Sequence, residues 1–127
     1  MPTRTHSASF HAEDAYRAAS QEAITSIVGF LVDLLGSRLI ARTCGVDVSS
    51  VSRWKSGQTA PTTESETKLR AARQIAALLL GAESDHTVRA WFIGMNPQLD
   101  DDAPIDVIRD GGAKEVLASA RSYIVSM

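Results

Sequence analysis

Residues 45–58, GVDVSSVSRWKSGQ, place four serines and two cations between two glycines. On a helix from Val48 to Ser56, the apolar residues Val51 and Trp54 face a core and the polar side chains point away from it. Hydroxyls and cations on an exposed helix face can contact DNA phosphates and base edges. The predicted DNA contacts from this segment are Ser49, Ser50, Ser52, Arg53, Lys55, Ser56 and Gln58.

A second short helix must position this one, and Ser37 to Cys44 has the pattern for it. Two short helices that cross at a large angle need apolar residues at a few fixed places and a small residue where they touch. Ala41 is the small residue, and Gly45 supplies the turn. The apolar places are taken by Ile40, Cys44, Val46, Val51 and Trp54. We therefore predict a helix-turn-helix, with an αα-corner that binds nothing as the alternative.

This set of residues resembles the helix-turn-helix of Xre-type, phage-repressor-like regulators, including the ending SRWKSGQTAP. Arg53 is the best candidate for a guanine edge, and Arg38 and Arg42 are expected to contact the DNA backbone. Asp47 would repel phosphate if it faced DNA, so we assign it to the helix cap. Because so small a helix specifies few base pairs, we expect a dimer on two half-sites about one helical turn apart. Cys44 is predicted to be a core residue rather than a redox or metal site.

The net charge of −2 conceals a segregation of charge along the chain. Residues 37–73 hold seven cations and three anions, whereas residues 74–127 hold four cations and eight anions. A basic segment beside an acidic one indicates two surfaces with different partners, although solvated helix faces would also give this pattern. The single cysteine and the lack of any apolar run long enough for a membrane span or a signal peptide predict a cytoplasmic protein.

Hydrophobic spacing predicts an all-α chain of 127 residues. We expect a flexible arm at residues 1–12, a DNA-binding domain at 13–81 and a second domain at 82–127. Thr63 and Glu66 form a capping-box pattern that opens a long helix ending at Gly81. Asp85 is expected to cap the following helix. The predicted core faces of these helices are Leu69, Ala72, Ile75, Ala76 and Leu79 in the first, and Val88, Trp91, Phe92 and Met95 in the second.

The C-terminal part carries a second resemblance. A tryptophan helix is followed by an Asn-Pro loop, a short helix of the form proline, hydrophobic, acid, hydrophobic, hydrophobic, and a final helix. The residues of this pattern are Trp91, Asn96, Pro97, Leu99, Pro104, Ile105, Val107, Ile108, Gly112 and Val116. It resembles the toxin-binding domain of the Xre/MbcA/ParS antitoxins, and it follows the helix-turn-helix at the usual distance. Three aspartates at 100–102 replace the glycine-containing spacer of that family.

The resemblance implies an antitoxin of a type II toxin-antitoxin system. The partner would be a RES-domain toxin that destroys NAD, held inactive by this chain in a multimeric complex containing antitoxin dimers. The complex would repress its own operon by binding operator DNA. The family uses its C-terminal end to reach the toxin pocket, so the candidate toxin-binding residues are Arg121, Tyr123, Ile124 and Met127. Trp91 shares a face with Val88 and Phe92 and is expected to be core.

Two alternatives are weighed against this interpretation. A stand-alone dimeric DNA-binding regulator would use the C-terminal segment only for dimerisation. An enzyme would need a nucleophile motif, a phosphate-binding glycine loop or spaced metal ligands, and the sequence has none of these. The three consecutive aspartates lack the spacing and closing glutamate of a calcium loop, so we expect a solvated loop. We predict no catalysis, no cofactor and no metal.

Overall fold

A computed structural model describes residues 24–127, and all of its regular structure is helical. The helices are α1 (described from Ile24 to Leu35), α2 (Ser37–Cys44), α3 (Val48–Ser56), α4 (Thr63–Leu80), α5 (Asp85–Ile93), α6 (Pro104–Arg109) and α7 (Ala113–Val125), with a 3-10 turn at Pro97–Leu99. The all-α prediction is confirmed. The predicted arm at residues 1–12 lies outside the described residues.

Helix α4 is the central element because it packs against α2, α5, α6 and α7. Its predicted apolar face is buried in full: Leu69, Ala72, Ile75, Ala76 and Leu79 are each at most 2% exposed. One hydrophobic cluster extends from α1 through α4 to α7. The segments 24–81 and 82–127 therefore share a core, and the division between them remains a prediction about function.

The helix-turn-helix forms with the predicted bounds. Gly45 ends α2 in the left-handed conformation at φ 69°, where a residue with a Cβ is strained. The amide of Val46 then donates to the carbonyl oxygen of Ala41 at 3.0 Å, which turns the chain into α3. Ile40, Ala41, Val51 and Trp54 are buried between the helices. The core role predicted for Cys44 is confirmed, and burial raises the pKa of its thiol.

Two predicted helix caps were wrong by one residue. Thr62, not Thr63, caps α4, because its hydroxyl accepts from the Ser65 amide at 3.2 Å. Ser84, not Asp85, caps α5 by accepting from the Thr87 amide at 3.3 Å. In both places adjacent residues can cap a helix, and the local sequence does not distinguish them.

The predicted core position of Met95 is also wrong. Val88 and Phe92 are buried, but Met95 is 79% exposed. Helix α5 ends at Ile93, and Gly94 follows in an extended conformation, so Met95 no longer shares the helical face. The chain then turns at Asn96, whose side chain accepts from the Gln98 amide and donates to the Ser119 hydroxyl, both at 2.9 Å. This turn connects the end of α5 to α7.

Residues 24–127 contain no single helix that is long and apolar enough to cross a membrane. Helices α1 and α2 taken together would be long and apolar enough, but the chain bends by 118° between them at Gly36.

Because one core spans the described chain, a cavity in its C-terminal part should destabilise the whole. Phe92 is fully buried, so Phe92→Ala is expected to lower the free energy of unfolding by about 3–5 kcal/mol. Unfolding should remain a single transition when urea denaturation is followed by circular dichroism. The neighbouring Ile93 is 45% exposed, and Ile93→Ala should change stability by only about 0.5 kcal/mol. Separate transitions for the two segments would contradict the shared core.

Candidate DNA-binding and partner-binding surfaces

The outer face of α3 is polar. Val51 and Trp54 point to the core, and at 100° per residue the opposite face consists of Ser49, Ser52, Arg53 and Ser56. Three of these four are exposed, and Arg53 is half-buried. Lys55 and Gln58 are exposed beside this face. The structure thus brings Ser49, Ser52, Arg53 and Ser56 onto one side of the helix, whereas Ser50 and Lys55 lie on its two flanks. Binding of these residues to DNA remains a prediction.

Asp47 is the cap of α3, as predicted. Its carboxylate accepts from the Ser50 amide at 3.1 Å and from the hydroxyls of Ser49 and Ser50 at 2.9 Å each. These hydrogen bonds lower the pKa of Asp47, with the Ser49 hydroxyl as the largest cause. Ser49 and Ser50 therefore already have partners within the protein, and a contact with DNA would have to use their remaining lone pairs or replace these bonds.

Arg53 lies above the first turn of α3, where its guanidinium donates to the Ser50 hydroxyl at 3.3 Å. The bond is long, so it orients the side chain without occupying its other donors. Five N–H groups in a planar fork are suited to the O6 and N7 acceptors of guanine. The position is compatible with the predicted role of Arg53.

Arg38 and Arg42 share the face of α2 that points away from the core, one helical turn apart. They differ in their surroundings. Arg38 has no ion-pair partner within residues 24–127, whereas Arg42 forms two hydrogen bonds with the Asp106 carboxylate on α6, at 2.9 Å from Nε and 2.6 Å from Nη2. Asp106 Oδ1 also accepts from Arg109 Nη1 at 3.0 Å. No local sequence pattern indicates this ion pair between α2 and α6.

The C-terminal part has an apolar groove of about 400 Å³ between α5, the turn at Asn96 and α7. Trp91 and Tyr123 line it, with ring centroids 6.5 Å apart. Both side chains are half-buried and pack against the core on their inner side. The Tyr123 hydroxyl donates to Glu83 Oε1 at 2.8 Å, which raises the pKa of Tyr123. Trp91 therefore contributes both to the core and to the groove.

Three exposed apolar side chains lie in this part of the chain. Met95 lines the groove, and Val125 and Met127 precede and follow the lining residue Ser126 in sequence. Their exposed fractions are 79%, 84% and 66%. An apolar groove with an exposed methionine in its lining is typical of a surface that binds a partner.

The four predicted toxin-binding residues divide into two pairs. Arg121 and Met127 are exposed, whereas Tyr123 and Ile124 are half-buried against the core. Arg121 has no ion-pair partner within residues 24–127. Sequence reasoning missed Met95 and Val125 as surface residues, and the only local signal was the glycine that ends α5 before Met95.

A comparison with solved structures gives this arrangement a counterpart. The chain is similar to the antitoxin MbcA in the crystal structure of the M. tuberculosis MbcT-MbcA toxin-antitoxin complex, with a TM-score of 0.68 and 25% sequence identity. The match covers 78% of this chain and 91% of that one. The resemblance to MbcA-type antitoxins is confirmed.

The similarity to MbcA supports an antitoxin role for this chain. No protein-family model matches the sequence, and a search of curated proteins found no significant match.

Among residues 24–127, no cluster of three or more histidine, cysteine, aspartate or glutamate side chains is arranged to hold a metal ion. Asp100 and Asp101 are exposed in left-handed conformations, and their carboxylates do not converge with others on a site.

The lowered pKa of Asp47 makes stability depend on pH in a defined direction. A carboxyl group whose pKa is lower in the folded state than in the unfolded state stabilises the fold. Its contribution is complete above the pKa of the unfolded state, here 3.8, and is lost as the pH falls through the lower pKa of the folded state. Asparagine caps helices about as well as aspartate but does not titrate. As pH falls below 3.8, the urea midpoint of the wild type should therefore drop further than that of Asp47→Asn.

The control is Asp102→Asn, an exposed aspartate whose carboxylate accepts no hydrogen bond within residues 24–127. Its profile should parallel that of the wild type. Parallel profiles for the wild type and Asp47→Asn would show that the cap carboxylate does not contribute.

Proposed function

We propose that this chain is the antitoxin of a type II toxin-antitoxin system that neutralises a RES-domain, NAD-degrading toxin by covering its active site. The observation that carries the proposal is the similarity to MbcA, which extends over most of both chains. The RES-domain partner comes from the sequence resemblance of residues 91–116 to the toxin-binding domain of that family.

The chemistry of the C-terminal part supports this choice of partner. A pocket that binds the phosphates of NAD must present cations, and residues 74–127 have twice as many anions as cations. Such complementarity favours encounter with a basic pocket and discriminates against acidic surfaces. The apolar groove beside Tyr123 and Met95 supplies the desolvated contact that charge alone does not provide. We assign the toxin contact to this end of the molecule, with Arg121, Tyr123, Ile124 and Met127 as its predicted residues.

We further propose that the helix-turn-helix binds operator DNA, so that the chain represses its own operon in the cytoplasm. The support is the polar outer face of α3 next to the cationic face of α2. Because one such helix specifies few base pairs, the proposal includes a homodimer within the larger complex. The alternative is a stand-alone dimeric regulator, in which the groove and the exposed apolar residues would form the dimer contact.

Cellular NAD distinguishes the two functions. Expression of the adjacent reading frame alone should deplete NAD, and co-expression of this chain should preserve it. A stand-alone regulator would have no effect on NAD. If NAD never falls, or falls in both cases, that neighbour is not a RES-domain toxin neutralised by this chain.

Within the antitoxin, Arg121→Ala should weaken toxin binding by about tenfold or more, because it truncates a long exposed side chain in the predicted contact. The matched control is Lys114→Ala, which removes the same charge from the same face of α7, seven residues nearer its start. Toxin affinity measured by calorimetry should fall only for Arg121→Ala. Equal losses of toxin affinity in the two variants would indicate a general charge effect. Unchanged affinity in both would show that the toxin contact lies elsewhere.

In the DNA-binding part, Arg53→Ala should weaken operator binding by about 1–3 kcal/mol if Arg53 pairs with guanine. Gel-shift titration at fixed salt, on operator and on random duplexes, measures this effect. An equal loss on random DNA would reassign Arg53 to a phosphate, and unchanged binding would remove it from the site. Arg73→Ala is a suitable control, since Arg73 lies over the Phe30 ring rather than on α3.

A further inference from the structure

We infer that Asp106 is an intramolecular substitute for a DNA phosphate, which holds Arg42 in competition with DNA and thereby limits the affinity of the helix-turn-helix. The inference rests on the proposed DNA binding and adds a residue from the acidic C-terminal segment to it. Asp106 lies on α6, 64 residues from Arg42 in sequence, and its carboxylate reaches the cationic face of α2.

The geometry of the pair is that of phosphate recognition. Nε and Nη2 of Arg42 donate in parallel to the two carboxylate oxygens of Asp106, at 2.9 and 2.6 Å. Arginine binds carboxylates and phosphates with this same two-pronged arrangement. The guanidinium edge that would bind a phosphate is therefore occupied by Asp106.

The Arg42–Asp106 pair lies where Arg42 can exchange the carboxylate for a DNA phosphate. The Arg42 side chain is 53% exposed, so its guanidinium can leave without disturbing the core. Ion pairs in contact with water contribute little to stability, which makes a phosphate an effective competitor. Arg38 lies one turn away on the same face without an ion-pair partner in residues 24–127, so a phosphate that approaches α2 meets both arginines.

Asp106 would not be left unpaired by such an exchange. Its Oδ1 atom also accepts from Arg109 Nη1 at 3.0 Å, within α6 itself. Arg109 has a further contact with Asp110 at 3.2 Å, so it is held beside Asp106 independently of Arg42. Departure of Arg42 therefore leaves the half-buried carboxylate with a cation, whereas a lone buried carboxylate would oppose the exchange.

The consequence for DNA binding is electrostatic. A guanidinium that must first give up a carboxylate contributes less to phosphate binding than a free one, and the Asp106 charge repels the incoming phosphate. Asp106→Asn removes both effects with almost no change in side-chain size. It should tighten binding about threefold to tenfold at low salt and steepen the dependence of log K on log salt by up to about 0.9, the value for one complete phosphate contact.

The experiment measures fluorescence anisotropy of two labelled duplexes of about 30 base pairs, across a range of salt concentrations. One spans the region upstream of the chain's own reading frame, and the other has a random sequence. Because phosphate contacts are independent of DNA sequence, the Asp106→Asn variant should bind both duplexes more tightly than the wild type. In the Arg42→Met background the same substitution should tighten binding by less than about twofold, because only the repulsion between the Asp106 charge and the phosphate is then removed.

Asp110→Asn is the matched control. It makes the same charge change one turn from the pair, and Asp110 contacts Arg109 but not Arg42. Its gain should be less than about twofold. Helical circular dichroism confirms that each variant is folded. Unchanged or weaker binding by folded Asp106→Asn, or an equal gain in the Arg42→Met background, would overturn the inference. Failure of the wild type to bind either duplex would instead remove the proposed DNA-binding function.

Discussion

The buried face of α4 is the constraint on which the other elements depend. A single row of leucine, isoleucine and alanine side chains packs against α2 on one side and α7 on the other. Moving the helix-turn-helix away from the C-terminal helices would expose this row to water, which is unfavourable in proportion to the apolar area. The two candidate binding surfaces are therefore fixed to one core. A partner bound at one surface meets a molecule whose other surface has a defined position.

This shared core brings opposite charges together. The basic residues 37–73 and the acidic residues 74–127 are separate in sequence, but α6 packs on α2 in the folded chain. Arg42 and Asp106 mark the contact between them. The segregated charge that indicates two partners in the sequence is thus partly neutralised by this ion pair, where α6 packs on α2. Net charge alone would underestimate how cationic the remaining face of α2 and α3 is.

The helical periodicity is sufficient to predict the fold class and the bounds of α2 and α3, because apolar spacing and glycine stops are local signals. Details that depend on a choice between adjacent residues were not predictable. Thr62 and Thr63 can both cap a helix, and in the structure it is Thr62 whose backbone is extended and whose hydroxyl accepts from the Ser65 amide. Met95 continues the spacing of Val88 and Phe92, but the chain leaves the helix at Gly94. Periodicity applies only while the helix persists.

The residues of the candidate sites could be predicted from the sequence, but their hydrogen-bond partners within the protein could not. The sequence placed Arg42 and Tyr123 among the binding residues, yet each also bonds a side chain distant in sequence, Asp106 for one and Glu83 for the other. No local pattern indicates such pairs, because folding rather than spacing brings them together. The pairs affect how substitutions are interpreted. Replacing Tyr123 removes a side chain that lines the groove, and it also removes the hydrogen bond to Glu83 just before α5. A loss of toxin binding would therefore not by itself show that Tyr123 contacts the toxin. Arg121 carries no such second role among residues 24–127, which makes its substitution the more direct measure of what the end of α7 binds.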